Sequence, residues 1–313
     1  MKIVFMGTPD FAVSSLDAIC KAGYDVTGVV TVPDRPVGRG RKLTFSPVKQ
    51  YALDHQLPLL QPERLREEQF QNSLRNWGAD IFVVVAFRML PLSVWAMPPM
   101  GTFNLHASLL PQYRGAAPIN WAIINGERET GVSTFILNER IDEGGILLQR
   151  STPITPEDDA KTLHDRLADI GSQVVIQTLQ GLEQGVLHPQ PQPVASALKP
   201  APKIFKSDCA ISWHQEGQRV VDFVRGLSPY PAATMTLEDG MGRPLPFKVY
   251  RVAFEPEVGS TVGQLITDNK SVLKIGVKDG FVRILSLQLS GKKRISAEEF
   301  LRGYDIKYWK TVI

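Results

Sequence analysis

The chain has 313 residues, of which 43% are hydrophobic and 21% are charged. This length suits two domains, and the composition is that of an ordinary globular protein. The longest apolar run, Ile81–Phe87, is too short to cross a bilayer, which takes about 20 residues. No signal-peptide pattern is present, and neither the two cysteines nor the five histidines are spaced for a disulfide framework or a zinc site. We therefore expect a cytoplasmic protein without a metal.

The net charge of +3 is unevenly distributed along the chain. Residues 1–187 contain 17 basic and 20 acidic side chains, whereas residues 188–313 contain 18 and 12, which gives net charges of −3 and +6. A basic C-terminal part favours an anionic partner such as a nucleic acid. Small basic domains are also common, so the charge by itself leaves both interpretations open.

The N-terminal part alternates strand and helix patterns. A buried strand, Lys2–Met6, ends at Gly7, and Thr8 is predicted to be the N-cap of the helix that follows. Further strands are predicted at Val26–Val32, Ile81–Phe87, Gly101–Leu105, Val132–Leu137 and Ile146–Leu148. This alternation predicts βαβ units, a mainly parallel sheet, and a ligand site beyond the carboxyl ends of the strands. Neither a dinucleotide fingerprint nor a Walker A loop is present.

The pattern changes towards the C-terminus. A helix is predicted from Ala160 to Gly181, and residues 185–206 are rich in proline and lack helical periodicity, as expected of an extended linker. After a helix at Gly217–Arg225, short strands are predicted at Ala233–Leu237, Lys248–Phe254, Thr261–Ile266, Val272–Val277 and Val282–Gln288. Short strands at this spacing predict a small β-barrel.

Two polar residues lie at the end of one of the predicted N-terminal strands. Asn104 and His106 are two positions apart, so their side chains leave the strand on the same face. An amide donor beside an imidazole suits a reaction that passes through an oxyanion and moves a proton. In an isolated Asn-x-His, the asparagine more often lies in a turn and the histidine is more often part of the core. The spacing alone therefore does not establish a catalytic role.

The stretch Asn104–Pro111, which reads NLHASLLP, resembles the signature of folate-dependent formyltransferases. Its continuation, Tyr113–Ile119, resembles the methionyl-tRNA formyltransferases of that family. Other segments match family motifs in order: Phe5–Phe11, Pro33–Gly40 with Ser46–Lys49, Gly226–Ala232, and Gly291–Arg294. The similarity covers nearly the whole chain. It implies an α/β fold with an N-terminal Rossmann-like catalytic domain at residues 1–187, a linker at 188–206, and a C-terminal OB-like barrel at 207–313.

The resemblance also implies roles for individual residues. The catalytic residues of the family correspond to Asn104, His106 and Asp142, and its folate-binding segment to Ser108, Leu109, Leu110 and Pro111. Contacts to tRNA phosphates are expected from a basic loop without acidic residues and from a basic turn of the barrel. These residues are Arg35, Arg39, Arg41, Lys42, Lys49, Lys292, Lys293 and Arg294.

The chain departs from the family pattern in three places. The sequence Asp142-Glu143-Gly144-Gly145 keeps the first acid of the usual Asp-Thr-Gly-Asp but loses the second. The segment Ala86–Pro91 is one residue shorter than the common form, which affects expected contacts to the pterin ring. Ile211-Ser212-Trp213 stands where Ile-Asp-Trp is usual.

The resemblance implies transfer of a formyl group from 10-formyltetrahydrofolate to the α-amino group of initiator methionyl-tRNA, for translation initiation. The expected partners are that tRNA and the folate, with no metal and no membrane, and the protein is expected to be a monomer. Two alternatives are an amino-sugar nucleotide formyltransferase and a tRNA-binding protein with an inactive formyltransferase fold. Formylation of glycinamide ribonucleotide is a weaker alternative, since it needs no basic barrel.

Overall fold

The computed structural model describes residues 1–37, 42–194 and 197–313, and their contacts define two compact units. The first unit consists of Met1–Gly115, Thr130–Thr152 and His164–Pro200. The second consists of Ala116–Glu129, Pro153–Leu163 and Ala201–Ile313. Two internal segments thus group with the C-terminal part of the chain. The domain limits at 187 and 207 stay a prediction.

The first unit is built on a seven-stranded sheet with the order β5-β2-β1-β6-β7-β8-β9. The strands of this unit are β1 (Lys2–Gly7), β2 (Asp25–Val30), β3 (Arg35–Val37), β4 (Lys42–Thr44), β5 (Leu59–Leu60), β6 (Ile81–Val85), β7 (Thr102–His106), β8 (Glu129–Ile136) and β9 (Ile146–Pro153). Strands β5, β2, β1, β6 and β7 are parallel neighbours, and β8 runs antiparallel to β7. The predicted mainly parallel sheet is confirmed.

Burial explains why these segments form the centre of the sheet. The side chains of Ile3, Val4, Phe5 and Met6 on β1 are fully buried, as are Val83 and Val85 on β6. Strands that are covered on both faces have continuous apolar sequences, unlike strands with one solvated face. The apolar runs in the sequence therefore mark the strands at the middle of the sheet.

The helices in chain order are α1 (Asp10–Lys21), α2 (Pro47–Asp54), α3 (Glu68–Asn76), α4 (Leu92–Trp95), α5 (Pro118–Ile124), α6 (Ala160–Glu183), α7 (Gly217–Leu227) and α8 (Ala297–Gly303). The predicted N-cap at Thr8 is wrong, because Pro9 occupies that position and no side chain caps the helix. The loop predicted around Arg35–Lys49 contains a hairpin, β3–β4, and the first turn of α2. Ser46 caps α2 by accepting a hydrogen bond from the backbone N–H of Lys49.

The second unit contains an antiparallel sheet with the order β12-β13-β14-β11-β10-β16, and β15 pairs with β14. Its strands are β10 (Ala233–Glu238), β11 (Pro244–Pro256), β12 (Leu265–Thr267), β13 (Leu273–Val277), β14 (Gly280–Leu289), β15 (Ile295–Ser296) and β16 (Lys310–Thr311). The sheet is nearly closed, which confirms the predicted barrel. Its core contains Trp213, Phe247 and Phe300, all at most 2% exposed. Within this unit Asn120 on α5 donates to the Gly226 carbonyl on α7. Within the described residues, no helix is both long and apolar enough to span a membrane.

Candidate active site

Strand β7 carries the first two predicted catalytic residues. Its apolar residues Phe103 and Leu105 are buried, while Asn104 is half-buried and His106 is 6% exposed. Among residues 1–37, 42–194 and 197–313, no group forms a hydrogen bond with the side-chain amide of Asn104. This amide is thus available to donate to a bound substrate.

The imidazole of His106 lies between a backbone carbonyl and a carboxylate. Its Nε2 donates a hydrogen bond of 2.8 Å to the carbonyl of Tyr113. This places a proton on Nε2, because a carbonyl can only accept. The Nδ1 atom lies 4.0 Å from Oδ2 of Asp142. One ring nitrogen is therefore fixed by the backbone, and the other faces the carboxylate across a gap longer than a direct hydrogen bond.

Asp142 reaches His106 from the loop between β8 and β9, residues 137–145, which we call the Asp142 loop. The backbone φ of Asp142 is 54°, which lies in the left-handed region and is uncommon for a residue other than glycine. Its Oδ2 accepts a hydrogen bond of 2.9 Å from the backbone N–H of Gly115. The carboxylate is only 14% exposed. The structure thus brings His106 and Asp142 together in the first unit, and Asn104 lies two residues before His106 on the same strand.

The altered sequence of the Asp142 loop is accommodated by close backbone packing and a new ion pair. A Cβ atom at Gly144 would lie 1.6 Å from the carbonyl oxygen of Ile136, so only glycine fits there. Glu143, which replaces the usual threonine, lies 2.9 Å from Nη1 of Arg114. The loop is therefore supported without the second acid of the family motif.

The predicted folate-binding segment lies next to this site in the chain. Ser108, Leu110 and Pro111 are buried, and Leu109 is half-buried. The segment is fixed by side chains around it: the Leu110 N–H donates to Oγ of Ser133 at 3.0 Å, and the Gln149 amide donates to the Leu110 carbonyl at 3.0 Å. Its contact with folate stays a prediction.

The predicted basic loop is partly described. Arg35 on β3 is exposed, Lys42 begins β4, and Arg39 and Arg41 lie outside the described residues. Lys49 is only 12% exposed at its side chain and forms an ion pair with Asp34. The hydrogen bonds from the Lys49 ammonium and the Gln61 amide lower the pKa of Asp34. Lys49 thus braces this part of the first unit, and its contact with tRNA stays a prediction.

The predicted basic turn of the barrel lies between β14 and β15. Lys292, Lys293 and Arg294 are all exposed. The Arg294 guanidinium stacks over the ring of Tyr250, 4.4 Å from its centroid, and its Nε donates to Oγ of Ser286. Such a surface suits phosphate contacts, which are the role that we predict for it.

Two sequence patterns of formyl transferases match this chain. The pattern of the formyl transferase family matches residues 1–179, and that of the formyl transferase C-terminal domain matches residues 203–305. The chain belongs to the formyl transferase family.

The proteins that resemble this chain differ in how similar they are to it. A methionyl-tRNA formyltransferase of Bacteroides fragilis is 53% identical over 98% of this chain and 96% of its own length. One of Flavobacterium johnsoniae is 49% identical over 97% and 96%. A solved structure of WlaRD, a sugar 3N-formyl transferase, matches with a TM-score of 0.64 over 94% of this chain and 99% of that one, at 20% identity. That similarity supports the fold alone.

A shortened segment of this formyl transferase follows β6. Ala86 has a φ of 47°, and Arg88 donates to the carbonyls of Pro62 and Glu63. Desolvation of its guanidinium lowers the pKa of Arg88. Met89 is 72% exposed. Arg88 thus ties the shortened segment to the chain that follows β5, and the effect on pterin contacts stays a prediction.

Three groups that hold the predicted catalytic residues have no counterpart among the sequence predictions. They are the Tyr113 carbonyl, the Gly115 N–H and the side chain of Gln192, which contacts the Asp142 loop. Tyr113 and Gly115 lie in the family motif, but backbone groups carry no side-chain signal. Gln192 lies in a segment whose sequence pattern indicates only a linker. Among the described residues, no group of three or more His, Cys, Asp or Glu side chains is arranged to hold a metal ion.

Proposed function

We propose that this protein transfers the formyl group of 10-formyltetrahydrofolate to the α-amino group of initiator methionyl-tRNA. The observation that carries the proposal is the 53% identity to a methionyl-tRNA formyltransferase over 98% of the chain. The site adds chemical support, because the free amide of Asn104, the ring of His106 and the carboxylate of Asp142 lie in one unit. These groups suit acyl transfer without a covalent enzyme intermediate.

In the proposed reaction, the neutral α-amino group of the methionyl ester attacks the formyl carbon that is bonded to N10 of the folate. The carbonyl oxygen gains negative charge, which the Asn104 N–H and a protonated His106 stabilise. The new carbon–nitrogen bond forms, the bond to N10 breaks, and a proton passes from the amine to N10. The products are formylmethionyl-tRNA and tetrahydrofolate, so atoms and charge balance.

The 4.0 Å separation between Nδ1 of His106 and Oδ2 of Asp142 suits that proton movement. An amine nitrogen or a water between two atoms at this distance can lie about 2.8 Å from both of them, within hydrogen-bond reach. The Tyr113 carbonyl keeps Nε2 protonated, so Nδ1 is the ring atom that exchanges a proton with the site. Asp142 orients the ring and stabilises the positive charge on the attacking amine until its proton passes to N10.

The proposal includes the location and partners of the protein. A role in translation initiation places it in the cytoplasm, where its partners are the initiator tRNA and the folate. The exposed Lys292, Lys293 and Arg294 provide cations for tRNA phosphates. We also propose that the protein acts as a monomer, which sedimentation equilibrium in the presence and absence of tRNA would test.

The decisive experiment is formylation of initiator methionyl-tRNA with 10-formyltetrahydrofolate, with products separated on an acid gel. We expect rapid formylation by the wild type and a loss of about 10²-fold or more in His106→Ala, because the proton carrier is removed. His188→Ala is the matched control, since His188 is exposed, and it should retain wild-type turnover. Circular dichroism would verify that both variants are folded.

Two other outcomes would contradict the proposal. Formylation of an amino-sugar nucleotide, with none of the tRNA, would keep the catalytic residues but replace the substrate. Retention of methionyl-tRNA in a filter-binding assay, with no formylation of any substrate, would indicate a tRNA-binding protein with an inactive site. The two alternatives are thus distinguished from the proposal and from each other.

A further inference from the structure

The side chain of Gln192 links two backbone segments at the candidate active site. Its Nε2 donates hydrogen bonds of 2.7 Å to the carbonyl of Asp142 and 2.9 Å to the carbonyl of Gly144. Its Oε1 accepts from Nη2 of Arg114 at 2.6 Å and from Nε of Arg114 at 3.2 Å. One amide thus uses both its donor and its acceptor capacity, which a carboxylate or an amine at this position cannot do.

The two linked segments are those that hold His106 and Asp142. The Arg114 segment supplies the Tyr113 carbonyl to Nε2 of His106 and the Gly115 N–H to Oδ2 of Asp142. The Asp142 loop supplies the carboxylate itself, from a residue with a φ of 54°. A second link, the ion pair between Arg114 and Glu143, joins the same two segments.

We infer that Gln192 is a positioning residue, which fixes the separation between the Asp142 carboxylate and the His106 ring by tying the Asp142 loop to Arg114. This inference rests on the proposed function, because it assigns Gln192 a part in that reaction. The residue lies 50 positions after Asp142, in a segment that pairs with the first residue of β9, directly after the Asp142 loop. There Ile146 and Gln190 exchange N–H and carbonyl hydrogen bonds of 2.7 and 2.8 Å.

The geometry explains why a small change at Gln192 should reduce the rate of the chemical step. A displacement of about 1 Å in a reacting group can cost roughly 10²-fold in rate, even when the mutation is outside the site. Loss of the amide leaves the carbonyls of Asp142 and Gly144 without these donors. The left-handed backbone at Asp142 is then held only by its remaining contacts.

The first test compares steady-state formylation by Gln192→Ala with that of Gln190→Ala. Gln190 is a matched control, since it has the same side chain two residues away and is exposed. Its side chain forms one hydrogen bond within the described part of the chain, to the carbonyl of His188. We expect kcat of Gln192→Ala to fall roughly 10- to 100-fold, with KM for both substrates and the thermal midpoint close to wild type. Gln190→Ala should match the wild type. A kcat for Gln192→Ala within twofold of wild type would overturn the inference.

A second variant separates the amide donor from the link to Arg114. Gln192→Glu keeps an acceptor for Arg114 but places a carboxylate against two carbonyl oxygens, so kcat should fall as in Gln192→Ala. A wild-type kcat in Gln192→Glu would show that the two donated hydrogen bonds do not matter. In the double variant Asp142→Asn/Gln192→Ala, the loss should be no greater than in Asp142→Asn alone, because both act through one carboxylate. Fully additive losses would contradict this.

A spectroscopic measurement keeps the inference testable without any substrate. In protein with labelled histidine rings, the signal of His106, identified by its absence in His106→Ala, should move in Gln192→Ala and stay in Gln190→Ala. If the wild type fails to formylate methionyl-tRNA, the proposed function is wrong, and this signal alone decides the role of Gln192. An unchanged His106 signal in Gln192→Ala would then reject it.

Discussion

The predicted catalytic histidine, His106, is held by groups that differ in how much they can move. The Tyr113 carbonyl is part of the backbone, and the N–H of Tyr113 donates to the Lys199 carbonyl at 2.7 Å. Asp142 is a side chain on a loop, restrained by the Gly115 N–H and by Gln192. One partner of the ring is therefore rigid, and the position of the other depends on a few hydrogen bonds. Substitutions around Asp142 should consequently affect the rate more than the fold.

At the same scale, Asn104→Ala should lower kcat for formylation by about 10²- to 10³-fold, the usual effect of losing one oxyanion donor. KM for the tRNA and the folate should change little, because the interaction strengthens only as charge develops. Asn76→Ala, at the exposed end of α3, is the control and should keep wild-type kinetics. Steady-state formylation assays on both variants measure this, and a normal kcat in Asn104→Ala would exclude a catalytic role for its amide.

Among the elements, the hairpin turn between β12 and β13 depends on one ionised carboxylate. The backbone N–H groups of Lys270, Ser271 and Val272 donate to Oδ1 of Asp268 at 2.8–2.9 Å. These hydrogen bonds, with that of Val272 the largest contribution, lower the pKa of Asp268 well below its usual range. Because the carboxylate is more acidic in the folded protein, it stabilises the fold above the unfolded pKa of about 3.9. That stabilisation is lost as the pH falls towards the folded pKa.

We therefore expect Asp268→Asn to lower the thermal midpoint of the second unit at pH 7. The difference from the wild type should shrink as the pH falls below about 4, because the carboxylate then takes up a proton in the unfolded wild-type chain while it stays ionised in the folded protein. Thermal unfolding followed by circular dichroism at pH 7, 5, 4 and 3 would measure it. Glu257→Gln, an exposed acid in the same unit, should show little difference at any pH. If the thermal midpoints of Asp268→Asn and the wild type differed by the same amount at every pH, the ionised Asp268 carboxylate would not be the source of the stabilisation.

Over the whole molecule, the excess positive charge of the C-terminal part predicts that tRNA binding weakens steeply with salt. We expect the triple replacement of Lys292, Lys293 and Arg294 by alanine to make this dependence less steep. The slope of log K for tRNA binding, where K is the association constant, against log[salt] should fall in magnitude by roughly two. The reason is that each phosphate no longer neutralised by a cation lowers the slope by up to about 0.7–0.9. Filter binding over a range of salt concentrations would measure the slopes of the wild type and the variant.

A control for net charge replaces Arg64, Arg66 and Arg75, which are exposed in the first unit, by alanine. It removes the same charge elsewhere, so its slope should remain close to the wild type. Equal changes in the two triple variants would indicate a general effect of charge rather than contacts at the turn between β14 and β15.

Elements with a local signal could be predicted from the amino-acid sequence alone. Continuous apolar runs located β1 and β6, because strands covered on both faces have no polar alternation. The spacing of Asn104 and His106 placed both on one face of β7, since successive side chains of a strand alternate. The strand ends differ from the prediction: β6 stops at Val85, two residues before its predicted end, because Ala86 has a positive φ. The N-cap at Thr8 was wrong because local propensity does not fix where a helix starts after a glycine turn.

The meeting of groups that are distant in the sequence follows only from the folded chain. Asp142 is 36 positions from His106, and Gln192 is 50 positions further along, so neither contact follows from spacing. The resemblance pointed to Asp142, but Gln192 and the carbonyl of Tyr113 carry no pattern that marks them. Likewise Lys49 belongs by sequence to a basic loop, whereas the fold pairs it with Asp34. The physical reason is that local patterns record burial and backbone preference, while long-range hydrogen bonds and ion pairs arise only when folding brings separate segments together.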